Sequence, residues 1–182
     1  MGTRGIYGFR KNNEDKLTYN HFDSYPDYLG IAVVDFCKTT NLQKLNDIYD
    51  RIVLIDSNKK PTAEQITDCL KWANLEVSEQ SSNDWYCLLR KAQGDLTAYT
   101  SGLKYMSKDN DFIKDSLFCE FGYIINLDNN KLEFWKGFQK EPQKNNRYGA
   151  KQENGFYPCK LAQTFPLNNI PENIIGIMNE IE

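Results

Sequence analysis

Two stretches near the start of the chain, GTRGIYGFR (2–10) and KLTYNHF (16–22), are rich in aromatic and β-branched residues. That composition predicts two strands. KNNED between them supplies turn residues, so the pair reads as an N-terminal hairpin. The spacing then becomes helical. Ser24 opens a helix with Pro26 in its first turn, where a missing N–H costs nothing, and Asp27 completes a capping box. Thr40 with Gln43 repeats that signature, and Leu42, Leu45, Ile48 and Tyr49 form one apolar stripe. RIVLID (51–56) predicts a short strand. PTAEQITDCLKWAN (61–74) and NDWYCLLRKAQG (83–94) predict helices, the second stopped by Gly94. Two more strands, 116–127 and 131–139, flank the turn DNN. A polar loop (140–155), a strand (156–167) and a closing helix complete the chain.

Strands, then helices, then strands predict a single α+β domain over residues 1–182, with antiparallel sheets and helical layers rather than alternating βαβ units.

Charge narrows the function classes. The chain carries 22 lysines and arginines against 25 acids, scattered along its length. A general nucleic-acid coat needs a basic stripe, which is absent, whereas a small phosphorylated ligand needs only a few cations. No apolar run is long enough for a membrane span, and no secretory leader is recognised, so the cytoplasm is the expected compartment. The five cysteines are dispersed and the only histidine is His21, so no metal site and no cofactor are expected.

The candidate chemistry starts from that histidine, in TYNHFDSYP (18–26). If the first hairpin is symmetric about its turn, Gly5 faces His21 and Thr3 faces Asp23. Thr3, Tyr19, His21 and Asp23 then share one face of the sheet. Asp23 would orient His21 and favour its protonated form. Arg4 and Asn20 would lie opposite, but a slip of one residue brings Arg4 to the histidine instead. On this reading His21 is a general acid or base, Asp23 its orienter, and Arg4 an anion clamp. Thr3, Tyr19, Asn20 and Tyr25 line the ligand site. The structural alternative is a junction in which Asp23 and Ser24 satisfy a helix terminus.

Other candidates are spread out. Glu120, between Phe118, Cys119 and Phe121, is a carboxylate in apolar company with Arg4 and Arg90 as prospective ion-pair partners. Tyr86 and Arg90, four apart on one helical side, are available to a pocket. Arg147 lies in the 140–155 loop with Lys140, Lys144 and Lys151, near Trp135, Phe138 and Tyr148. Cations for phosphates and rings for stacking suit a mobile lid over a nucleotide-like ligand.

MGTRGIYGFR, TYNHFDSYPDYLG, WYCLLRKAQGD, DSLFCEFGYIINLD, KGFQ and YPCKL together resemble a family of uncharacterised phage and bacterial proteins with more distant fungal relatives. The resemblance covers most of the chain and implies no particular activity. A phage setting implies antagonism of a host defence, in the host cytoplasm. The hairpin and the order of elements also resemble the four-layer αββα fold of N-terminal nucleophile hydrolases, which suggests Thr3 as a nucleophile. Such enzymes use the nucleophile's own free amine as base, and removal of Met1 would expose Gly2, not Thr3.

Three functions are therefore in view. The first is recognition of a small nucleotide-like ligand, by sequestering or cleaving it. The second is inhibition of a host enzyme through a protein–protein surface. The third is amide hydrolysis on an N-terminal-nucleophile-like scaffold. The dispersed cysteines give a first prediction. Thiol titration of denatured, anaerobically prepared protein should find five free thiols, and two or more blocked by disulfide would contradict it.

Overall fold

The computed structural model describes residues 2–181, so Met1, on which the processing argument turns, lies outside the described residues. Strands β1 (Gly5–Lys11) and β2 (Glu14–Asn20) form the expected hairpin, but with a tighter turn. Only Asn12 and Asn13 separate the strands, and both take left-handed backbone angles (φ 54° and 61°). Asparagine tolerates that region, and two such residues give the turn whose twist matches a two-residue hairpin. The Asp128 carboxylate accepts both of their N–H groups, at 2.6 and 3.0 Å.

After the hairpin comes a single π-helical turn, Pro26–Gly30, in place of an ordinary helix start. It runs directly into α1 (Ile31–Thr39), and α2 (Leu42–Arg51) follows. The cap of α2 is Asn41, which accepts from the Lys44 N–H, rather than Thr40. Strand β3 (Val53–Ile55) and α3 (Ala63–Cys69) appear as predicted, α3 with a full Thr62–Gln65 capping box. The helix expected over 83–94 is shorter. It comprises α4 (Trp85–Leu88), a 3-10 turn (Arg90–Ala92), and a stop at Gly94 with φ 80°. Helix α5 (Thr97–Thr100) leads to β4 (Tyr105–Ser107), a strand that the sequence pattern did not suggest. The chain closes with β5 (Phe121–Asn126), β6 (Lys131–Lys136), β7 (Lys160–Pro166) and α6 (Ile174–Glu180).

These elements make one α+β domain. Its main sheet has the order β2-β1-β5-β6-β7, and β3 pairs with β4 in a second, two-stranded sheet. The expectation of antiparallel sheets is corrected at two places, since β1 runs parallel to β5 and β3 parallel to β4. The N-terminal strand is therefore internal, bonded to its hairpin partner on one side and to a distant segment on the other.

Alternation along the strands divides the core. Tyr7, Phe9, Tyr123, Ile125 and Phe134 face the helices and join the large cluster with α1, α2 and α6. Ile6, Leu17, Ile124 and Trp135 face the other way, onto Ile113, Cys119 and Cys159. Strands covered on both faces bury nearly every residue, which is why FGYIIN reads as a continuous apolar run.

The 140–155 loop is tied down, contrary to the expectation of a free basic lid. Gln143 exchanges two hydrogen bonds with the Leu161 backbone, at 2.8 and 3.0 Å, and Asn146 donates to the Cys159 carbonyl at 2.8 Å. Arg147 makes a two-pronged ion pair with buried Glu133, at 2.9 and 2.6 Å, and lies over the rings of Trp135 and Tyr148. Glu133 is also held by Asn126 and by the Trp135 indole N–H. Arg147 is thus the counter-ion of a buried carboxylate. Breaking such a pair from one side strands the other charge. Arg147→Ala should lower unfolding free energy by about 3–5 kcal/mol in urea titration. Lys144→Ala, at an exposed site, should change it by less than about 0.5 kcal/mol.

Candidate functional site

The two-residue turn places Gly5 opposite Asn20 and Ile6 opposite Tyr19. This is the one-residue slip from the symmetric hairpin. Carried one step past the ladder, the register sets Arg4 against His21, and Thr3 no longer faces Asp23. On the other side of β1, Arg4 and Glu120 are joined by a backbone bond of 3.0 Å, and the Arg4 N–H reaches Glu120 Oε1 at 3.3 Å. His21, Arg4 and Glu120 therefore form a row across the ends of three strands.

His21 is oriented by Tyr19 rather than by Asp23. The Tyr19 hydroxyl lies 2.6 Å from His21 Nδ1, and Phe22 packs edge-on to the imidazole at 4.2 Å. Burial, then Arg4, then Arg90 lower the His21 pKa below its ordinary value. This reverses the expectation that Asp23 would favour the charged form. Burial raises the pKa of the Tyr19 hydroxyl, so it keeps its proton. A protonated hydroxyl against a neutral imidazole donates to Nδ1, which assigns the ring proton to Nε2. Asp23 is exposed, with a left-handed φ of 51°, and no side-chain partner is found for it among the described residues. Its backbone carbonyl instead accepts the Leu29 N–H at the π-helical turn.

The other predicted residues serve the junction. Thr3 is buried at 3% exposure, and its carbonyl accepts the Ser24 N–H. Asn20 is buried and donates to the Phe22 carbonyl and to Ser24 Oγ. The Tyr123 hydroxyl donates to the Ser24 carbonyl at 3.0 Å. A Cβ on Gly30 would come within 3.2 Å of that same hydroxyl, so glycine lets the turn lie flat on Tyr123. Tyr25 is half-exposed against Tyr28 and Phe121, away from His21. Arg147 is on the same sheet face as Arg4 but near the hairpin tip. Its neighbour Tyr148 bonds Asp15, six residues and about 20 Å from His21 along β2.

Sequence reasoning missed the cavity beside this row. About 320 Å³ lies between the outer edge of β2 and the 84–93 segment. Tyr7, Trp85, Tyr86 and Tyr99 form its walls, and Asp109 lies at the strand edge. The Asp109 carboxylate accepts the Tyr19 N–H at 3.0 Å and the Thr18 hydroxyl at 3.3 Å. Arg90 joins cavity and row. Its guanidinium donates to Gln93 Oε1 at 2.6 Å and lies over the rings of Tyr86 and Phe22. The available signal was the Tyr86–Arg90 pairing, four apart on one side of the 83–94 segment. Ser107 and Asp109 gave none, because the 101–115 segment shows no periodic pattern.

Compared with known proteins, the chain matches no family model, no curated protein and no solved structure. Among the described residues no helix is long and apolar enough to cross a membrane, and no group of three metal-ligating side chains assembles.

The depressed His21 pKa carries a sign. The unfolded chain binds this proton more readily than the folded one, so stability rises with pH. The contribution is fully present above about pH 6.5, the unfolded value, and is lost as pH falls through the lower folded value. His21→Gln should flatten that part of the profile. Thermal unfolding of both forms from pH 5 to 8 is the check, and parallel curves would contradict the assignment.

Proposed function

We propose that this chain recognises a small nucleotide-like ligand, with the ring in the cavity beside β2 and the phosphate at its arginine-lined mouth. One observation carries the reading. An aromatic cavity adjoins Arg90, which stacks on Tyr86 and donates to Gln93 of its wall and which, with Arg4, bears on a neutral His21. Aromatic walls favour a flat ring by stacking, and paired guanidiniums favour a phosphate by charge-assisted hydrogen bonds. A cavity near the lower end of the about 300–1,000 Å³ range suits one mononucleotide unit. His21 Nε2–H would donate to the anion or, if the ligand is cleaved, move a proton at a phosphate ester oxygen. The phage-type resemblance makes a host-defence signal the attractive biological ligand.

Purified protein mixed with linear and cyclic nucleotides, then denatured and extracted, should return a retained or altered member of the panel. Intact ligand means sequestration, altered ligand means cleavage, and neither outcome would sink the proposal for that panel. Arg4→Ala and His21→Ala should each weaken retention about ten- to hundred-fold, the value of a charge-assisted hydrogen bond, while costing only about 1–2 kcal/mol of stability.

A second reading is inhibition of a host enzyme through a protein surface. Phe22, Tyr25, Tyr28 and Phe118 are exposed by 42–62% around the same end of the sheet. Exposed aromatics of this kind favour a protein partner. Host-protein binding that survives Arg4→Ala and His21→Ala but fails on Tyr28→Ser would favour it. The N-terminal-nucleophile-like αββα reading has less support, because the proposed nucleophile Thr3 is buried beneath the hairpin-to-helix junction.

A further inference from the structure

Two polar side chains on the cavity wall lack any hydrogen-bond partner among the described residues. Tyr99 and Trp85 are each 3% exposed and both line the cavity. Neither the Tyr99 hydroxyl nor the Trp85 indole N–H makes a hydrogen bond among the described residues, yet neither atom is sealed off. Tyr7 on the same wall shows the contrast. Its hydroxyl donates to the Ala92 carbonyl at 3.2 Å and accepts the Gly94 N–H at 2.8 Å, so its capacity is used. Buried polar groups are almost always satisfied, and the cavity is where these two would find partners.

Both unused groups offer a donor, and the Tyr99 hydroxyl can accept as well. An indole N–H only donates, and a tyrosine hydroxyl held well above its ordinary pKa by burial keeps its proton to donate. The carboxylates on the wall are engaged only in part, since Asp109 takes both of its donors on Oδ2. Asp109 receives Tyr19 and Thr18, and Asp84 receives the Tyr86 N–H at 3.0 Å. No lysine or arginine lines the interior, while two carboxylates do, so an anionic group is repelled from it. The Arg90 guanidinium stands outside the lining, against Tyr86 and Gln93.

Resting on the nucleotide reading of this site, we infer that the cavity selects a neutral heteroaromatic ring by its acceptor atoms. The Tyr99 hydroxyl and the Trp85 indole N–H donate to ring carbonyl oxygens or ring nitrogens. The phosphate stays at Arg4 and Arg90, so base and phosphate are read by separate groups. A site built to donate rejects rings without acceptors, because its buried donors would stay unpaired.

Calorimetric titration of adenosine, guanosine, cytidine, uridine, their 5′-monophosphates and ribose 5-phosphate separates the two halves. Wild type should bind at least one nucleoside at millimolar concentration. Tyr99→Phe, which removes only the hydroxyl, and Trp85→Phe should each weaken that nucleoside about tenfold and leave ribose 5-phosphate unchanged. Arg4→Ala should do the reverse. Tyr99→Phe should leave the ligand-free melting temperature unlowered, because the hydroxyl has no protein partner to lose. A fall of several degrees would reveal one and overturn the inference. Nucleosides binding equally to wild type and both variants would overturn it while the nucleotide reading stands. Nucleotides binding no better than ribose 5-phosphate would overturn it and leave only the phosphate half. Failure of every nucleoside and nucleotide would remove both.

Discussion

A hairpin has one freedom that decides what each face carries, its register, and here Asn12 and Asn13 take that freedom away. Two left-handed residues allow only a two-residue loop, and Asp128 grips both N–H groups from the β5–β6 turn. One residue more in the loop would exchange the faces of one strand relative to the other. Ile6 and Leu17 would no longer share the small core, nor Arg4 lie opposite His21. The site at one end of the hairpin therefore depends on a turn at the other. The parallel partnership with β5 extends the row to Glu120.

Local structure was legible where local chemistry determines it. The stop at Gly94 and the closing β5–β6 hairpin are short-range events, and each stands where the residues indicated, whereas the caps expected at Ser24 and Thr40 did not form. Partner choice over long separations was not legible. Nothing in GIYGFRK says that its second neighbour is FGYIIN, more than a hundred residues on, or that the pairing is parallel. Arg147 shows the same limit. A cation in a polar loop gives no sign that its partner is Glu133, a buried carboxylate on β6. His21 and Arg4 were recognisable as candidates because the sole histidine and the hairpin restrict the options. The cavity was not, since its wall gathers residues from six separate stretches.

The distribution of charge at the site explains how a mildly acidic protein can still favour an anion. Arg147 and Arg10 are consumed by Glu133 and Asp15, whereas Arg4 and Arg90 are stacked on rings with no ion pair among the described residues. Stacking holds a guanidinium in place without neutralising it. Burial first, and then the same two charges, keep His21 neutral, so the imidazole offers a donor without adding a third charge.

The outer edge of β2 has a consequence for how the chain emerges during synthesis. In the finished fold that edge is closed by two residues. The Leu17 and Tyr19 N–H groups bond Asn110 and Asp109 side chains, and the Leu17 and Asp15 carbonyls receive donors from the same pair. These plugs lie about ninety residues downstream. Until they leave the ribosome, β2 presents an unpaired ladder to its surroundings, the kind of edge that recruits strands from other nascent chains. Polysomes crowded with copies of this message would be the place where such cross-pairing begins, and Asp109 and Asn110 are the residues that end it.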